Sequence, residues 1–126
     1  MIIWHLTEQR LWEQARPAGE YSWSTRGRRL SEVGFIHASH PHQLDQVAAN
    51  FFADVEGALV VLGVDTEVLA QHQIGVVSEP PAPGVDELFP HVYGPIPVAA
   101  VRHVRRVRLA ANGLVDEDEI SGDPVG

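Results

Sequence analysis

The run "ALVVLGV", Ala58–Val64, decides the fold class, because it presents no polar face to water over its whole length. It has the length of a strand rather than of a helix, and it reads as a central strand buried on both faces. The rest of the chain must then supply two covering layers. Upstream, "MIIWHLT" reads as a first strand ending at Thr7, with Thr7 as N-cap of a helix over "EQRLWEQAR". Leu11, Trp12 and Ala15 share one face of that helix. "PAGEY" ends it, "YSWS" makes a short strand, and "TRGRRLSE" is a polar loop. "GFIHA" has strand-forming composition. A second helix opens at Pro41, capped by Ser39 or His40, and carries Leu44, Val47, Ala48 and Phe51 along one apolar stripe.

Downstream of the central run, "DTEVLAQ" makes one helical turn and "IGVVSE" a strand. "PPAPGVDELFP" holds too many prolines for a regular element. "HVYGPIP" resumes as a short strand stopped at Gly94–Pro95, and "VAAVRHVRRVRL" as a turn and then a strand from about Val101 to Leu109. Both main helices come early and strands outnumber them, which is an α+β pattern rather than a doubly wound array. We expect one globular domain over residues 1–110. Residues 111–126, with Asp116, Glu117, Asp118, Glu119 and Asp123, read as an acidic, disordered tail.

Bulk composition removes several function classes. The 126 residues contain no cysteine, which excludes thiol catalysis, disulfides and cysteine–zinc sites and fits a reducing cytoplasm. All nine basic residues are arginines, so no lysine Schiff base or P-loop lysine exists. A net charge of −8 argues against nucleic-acid binding. No apolar run is long enough to cross a bilayer, and the first residues lack a signal-peptide pattern. The expected chain is cytoplasmic, off the membrane, and a monomer or weak homodimer.

The candidate chemistry lies in histidines. "GFIHASHPHQ" places His37, His40 and His42 close together, which suggests a metal site. A strand followed by a helix start directs them differently, however, so metal binding is the weaker alternative and no metal ligand is assigned. Ser39 lacks the Gly-x-Ser-x-Gly elbow of a nucleophile. His5, His37 and His91 each interrupt strong strand sequence near a turn or helix start. If their strands are neighbours, the three imidazoles line one cleft, with Ser39, Tyr93 and Gly94 as ligand-binding positions. Such a cleft suits a sugar or a nucleotide. Glu79, between a strand and the proline loop, orients an imidazole or acts as a base. The catalytic candidates are therefore His5, His37, His91 and Glu79.

"IIWHLT", "GFIHASHPHQL", "ALVVLGVD" and "LFPHVYGPIPVAAV" together resemble a bacterial family known as domain of unknown function nine-five-two, over about Met1 to Leu109. His40 stands where that family usually has threonine. "GFIHAS" is also similar to the second signature segment of ADP-ribosyltransferases and RNA 2′-phosphotransferases. That resemblance implies a compact core with a bent or split, mainly antiparallel sheet and a cleft between its halves. It implies His5 at the ribose-holding position, His37 at the nicotinamide position and His91 at the position usually held by a catalytic glutamate, with Glu79 as the compensating carboxylate. NAD or an ADP-ribose-like nucleotide is then the expected substrate, with no firm cofactor. A non-catalytic nucleotide- or small-ligand-binding module is the alternative.

Overall fold

In the computed structural model, which describes residues 1–120, the chain begins with β1 (Ile2–Glu8), α1 (Gln9–Ala18) and β2 (Glu20–Tyr21). It continues through α2 (Leu30–Val33), β3 (Ile36–His37), a 3₁₀ turn at Pro41–Gln43 and α3 (Leu44–Phe51). Next come β4 (Leu59–Asp65), α4 (Thr66–Gln71), β5 (Gly75–Glu79), β6 (Phe89–Tyr93) and β7 (Ile96–Pro97). A hairpin of β8 (Val101–Ala110) and β9 (Gly113–Ile120) completes the described chain. Every strand pairing is antiparallel: β1-β4-β8-β9 form one sheet, β3-β6-β5 a second, and β2-β7 a two-stranded ribbon. The architecture is α+β, with four α-helices among the described residues.

β4 behaves as its sequence dictates. Val60, Leu62 and Val64 point into one core, with Ile3, Trp12, Ile36 and Val92. Leu59 and Val61 point the other way, into a second core with Val47, Ala48, Phe52 and Val107. Period-two alternation therefore gives one strand two hydrophobic faces, and each face has its own cover. α1 covers the first with Leu11, Trp12 and Ala15, then stops at Gly19, whose φ of 86° is the left-handed cap that glycine adopts freely.

The structure corrects several local expectations. Thr7 lies inside β1 and does not cap α1; Glu8 occupies the N-cap and makes no side-chain cap bond. "TRGRRLSE" contains the single turn α2, where Glu32 Oε1 accepts from the Arg29 N–H at 3.0 Å. Phe51 leaves the α3 stripe and is half exposed, while Phe52 takes the core position. The acidic segment is the largest departure, because residues 113–120 form β9 instead of a disordered tail. A two-residue turn at Ala111–Asn112 and Gly113 at φ 125° reverse the chain, and the acids then meet the β8 arginines. Arg105–Asp116 lie 3.4 Å apart, Arg106–Asp118 3.6 Å and Arg108–Glu117 3.9 Å. Each exposed pair contributes little alone, but opposite charges across the ladder favour this pairing over solvation of either strand. Asp123 lies outside the described residues.

Just after β3, backbone pairing passes from one of the two larger sheets to the other. His37 pairs with His91 in β6, but two residues later Ser39 pairs with Trp4 of β1, with N–O distances of 2.6 and 2.9 Å. The segment between β3 and the 3₁₀ turn thus leaves one sheet and joins the other. Among the described residues, no helix is long and apolar enough to cross a membrane.

Gly63 of β4 sits where Trp4 and His103 close over the strand: an added Cβ would lie 2.8 Å from Trp4 Cζ3 and 3.0 Å from His103 Cβ. Gly63→Ala is expected to lower stability by about 1–3 kcal/mol through overpacking. Urea denaturation of the variant beside the native chain checks this, and an unchanged midpoint would refute the tight closure.

Candidate functional site

Strand register assembles the site. His37 and His91 are direct cross-strand neighbours, and Glu79 pairs opposite Phe89, one diagonal step from His91. Because side chains alternate along a strand, Phe89, His91 and Tyr93 share one face of the small sheet with His37 and Glu79. The opposite face, with Ile36, Val92 and Val76, is packed into the core. Hydrophobic demand on one side therefore forces the polar set onto the other.

Those side chains form a chain of hydrogen bonds. His91 Nδ1 lies 2.8 Å from Glu79 Oε1, and because a carboxylate only accepts, Nδ1 carries the proton. In the neutral ring, Nε2 is then an acceptor, and His37 Nδ1–H donates to it at 3.3 Å. That leaves His37 Nε2 with its lone pair, buried and without a hydrogen-bond partner among the described residues. The Tyr93 hydroxyl donates to the same Glu79 oxygen. The hydrogen bonds from Tyr93 and then His91 hold the Glu79 carboxyl below its usual range. Burial, followed by the neighbouring His91 and His5 imidazoles, pushes His37 down to about 4, so it is an unprotonated base at neutral pH. Phe35 stacks on His91 at 4.0 Å between centroids, fixing the middle ring.

The His37 backbone is clamped as well. Its N–H donates to Ser24 Oγ at 3.3 Å, and its carbonyl accepts from His5 Nδ1–H at 2.7 Å. His5 is fully buried, and burial lowers its pKa to about 4, so the ring is neutral and Nε2 accepts from the Tyr21 hydroxyl at 2.7 Å. Tyr21 has one proton to give, so the Thr7 hydroxyl, 2.7 Å away, donates to the Tyr21 oxygen. Burial raises Tyr21 and keeps it protonated. Both nitrogens of His5 are consumed inside the protein. It positions His37 and touches nothing outside.

A cavity of about 690 Å³ lies against His37 and Phe89. Arg26 and Arg28 line it from the loop between β2 and α2, and Gln46, Asn50 and Phe51 line it from α3. Val85 and Glu87 close it from the proline-rich segment. Its size suits a small organic ligand. A separate cleft of about 760 Å³ is lined by Glu8, Glu13, Asp54 and Glu56, and none of the histidines reaches it.

The sequence candidates thus divide. His37, His91, Glu79 and Tyr93 are brought together, while His5 lies directly behind His37. Ser39 is buried in the backbone bridge to Trp4. Gly94 packs on Ile74 and does not line the cavity. His40 and His42 stack on each other at 6.1 Å rather than join His37, and no metal-ligand cluster forms among the described residues. Sequence reasoning missed Phe35, Ser24, Tyr21, Arg26 and Arg28. Period-two counting back from His37 would have found Phe35; nothing in the sequence marks Tyr21 as the partner of His5.

Residues 6–104 match the family described as protein of unknown function (DUF952). The chain belongs to this family. The matched span takes in His37, Glu79, His91 and Tyr93. The chain is similar to protein CC0527 from Caulobacter crescentus, at 28% identity and a TM-score of 0.72 to its crystal structure, covering 93% of this chain and 94% of that one. The solution NMR structure of CC0527 gives a TM-score of 0.67 at 28% identity, covering 90% of each chain. No curated protein matches the chain.

The buried neutral imidazole of His5 makes stability depend on pH. The unfolded ring takes up a proton near 6.5 and the folded one only near 4, so the unfolded state binds more protons between those values. Stability is complete above about pH 6.5 and is lost as pH falls, by about 3 kcal/mol from His5 on reaching pH 4. His5→Gln is expected to flatten this slope relative to the native chain in denaturation curves recorded across that range. An identical slope in the variant would show that His5 is not the titrating group.

Proposed function

We propose that this protein is an enzyme of ADP-ribosyltransferase-like architecture that acts on a nucleotide such as NAD or an ADP-ribose-like molecule bound in the cavity over His37. The observation that carries this reading is the partnerless Nε2 of His37 at the end of a Glu79–His91–His37 relay. A carboxylate behind two imidazoles is a general-base arrangement, and burial keeps the terminal ring unprotonated until a proton is delivered.

On NAD, the step runs as follows. His37 Nε2 takes the proton of a water or acceptor hydroxyl, whose oxygen bonds to the anomeric carbon. The carbon–nitrogen bond to nicotinamide breaks, the electron pair leaves with neutral nicotinamide, and the proton on His37 passes to solvent. The charge that a catalytic glutamate brings to related transferases reaches this site from Glu79 on β5, through His91. His5 serves by holding the His37 carbonyl instead of gripping a ribose.

The test is release of nicotinamide from NAD, followed beside calorimetric titration with ADP-ribose. His37→Ala is expected to cut turnover by about 10²–10⁴-fold, the usual contribution of a general base, while ADP-ribose still binds. Glu79→Gln should lower turnover as well with little change in binding. Binding without any release would assign the cavity to a non-catalytic module. Failure of both ligands to bind at millimolar concentration would overturn the nucleotide reading.

A further inference from the structure

The geometry points to a phosphate-binding subsite on the loop between β2 and α2, in which Arg28, joined by Arg26, holds a phosphate or diphosphate group of the ligand. The inference deepens the proposed function, because it concerns the same cavity and names the chemistry of one end of its occupant.

The loop carries three arginines with different fates. Arg29 lies over the Trp23 ring at 4.6 Å. Arg26 donates to Asp54 Oδ1 at 2.5 Å and to the Phe51 carbonyl at 3.3 Å. Arg28 lines the cavity and has no side-chain hydrogen bond or ion pair among the described residues. A guanidinium at the wall of a cavity, without an acid of its own, is a ready anion site.

The loop is built to present these side chains. Trp23 and Arg29 form an isolated antiparallel bridge, and Ser24 N–H donates to the Arg28 carbonyl at 2.7 Å, which closes a tight hairpin. At its tip, Arg26 and Gly27 adopt φ of 43° and 73° in succession, and the first is a conformation that a non-glycine residue rarely holds. Ser24 and Thr25 add hydroxyls to the same wall. Ser24 is also the acceptor for the His37 N–H, so the anion loop and the terminal imidazole are mechanically joined.

The charge distribution fits the same occupant. The chain carries a net −8, and with Arg26 shared with Asp54, Arg28 is the lining cation that no acid holds, set against one lining carboxylate among the described residues. That carboxylate, Glu87, already accepts from Gln43 Nε2 at 2.9 Å. A guanidinium without an acid at one wall draws anions to that side of the cleft. Two forked cations and two hydroxyls offer more donors than a single carboxylate can use, whereas a phosphate or diphosphate can engage them all. The apolar side chains of Phe51 and Val85, both substantially exposed at the cavity, remain for the organic part of the ligand.

Inorganic pyrophosphate is the probe, with succinate as the carboxylate comparison, both titrated calorimetrically into the whole chain. Pyrophosphate is expected to bind, and Arg28→Gln to weaken it at least about tenfold, or ~1.4 kcal/mol. Arg28 is exposed, so its replacement leaves the fold intact, as an unchanged urea midpoint would verify. Asp54→Asn frees Arg26 from its carboxylate and is expected to tighten binding, a direction that damage to the fold would not produce. Absence of pyrophosphate binding, equal affinity in the native chain and Arg28→Gln, weaker binding in Asp54→Asn, or stronger binding of succinate would each overturn the subsite. Pyrophosphate binding that depends on Arg28 in a chain that releases no nicotinamide would keep the subsite and remove the proposed activity. Nicotinamide release with a KM indifferent to Arg28→Gln would do the reverse.

Discussion

The hydrogen bond from the buried His5 imidazole to the carbonyl of His37 is the joint on which the rest of the structure turns. It sits where the chain passes from the three-stranded sheet to the four-stranded one, so it ties β1 to β3 across the split. A buried imidazole with an unmet proton would cost on the order of 1–3 kcal/mol, and the same holds for an unmet carbonyl. Each group therefore needs the other. Tyr21 and Thr7 extend the joint to the ribbon strand β2, so that three separate sheet segments converge on one neutral, fully buried polar chain. The site stands on the solvent side of that joint. Its terminal base is part of a backbone that cannot shift without breaking bonds in the core.

Much of this was legible because hydrophobic demand is periodic. The uninterrupted run Ala58–Val64 has no other place than between two cores, and the stripe of α3 and the Leu11, Trp12 and Ala15 face of α1 supply what covers them. The antiparallel, split arrangement agrees with expectation. What could not be read was anything set by pairing across the chain. The acidic segment looks disordered by composition, and only the β8 arginines opposite it make a strand favourable. Thr7 looks like a cap because local sequence offers a helix after it, but a buried hydroxyl partner from Tyr21 outweighs the cap. His5, His37, His91 and Glu79 were recognisable as one group, yet their order was not. His5 resembles a site residue in sequence because a buried structural imidazole and a catalytic one both interrupt apolar strands. Arg26 and Arg28 sit in a loop whose composition gives no sign of which arginine finds an acid and which is left facing the cavity.

The division of labour among the histidines follows from the number of partners each one finds. His5 has two and is closed. His91 has an acceptor on one side and a donor on the other, which makes it a conductor between Glu79 and His37. His37 has one, and its second nitrogen is the only place where the network remains open to new chemistry among these three rings. Stacking of Phe35 on His91 serves this order, since a ring that turned over would present the wrong nitrogen to each neighbour.

β9 has a meaning beyond neutralising arginines. It is an outer strand of the four-stranded sheet, so one row of its backbone donors and acceptors has no neighbour within that sheet. Such an edge is a template on which a second chain could add and begin an aggregate. Asp116, Glu117 and Asp118 put negative charge on both faces of that edge in succession. An identical strand approaching it would bring the same charges into register, and the repulsion keeps the edge solvated. The same short acidic run that completes the sheet thus also guards its edge, and the colloidal behaviour of the protein is tied to it.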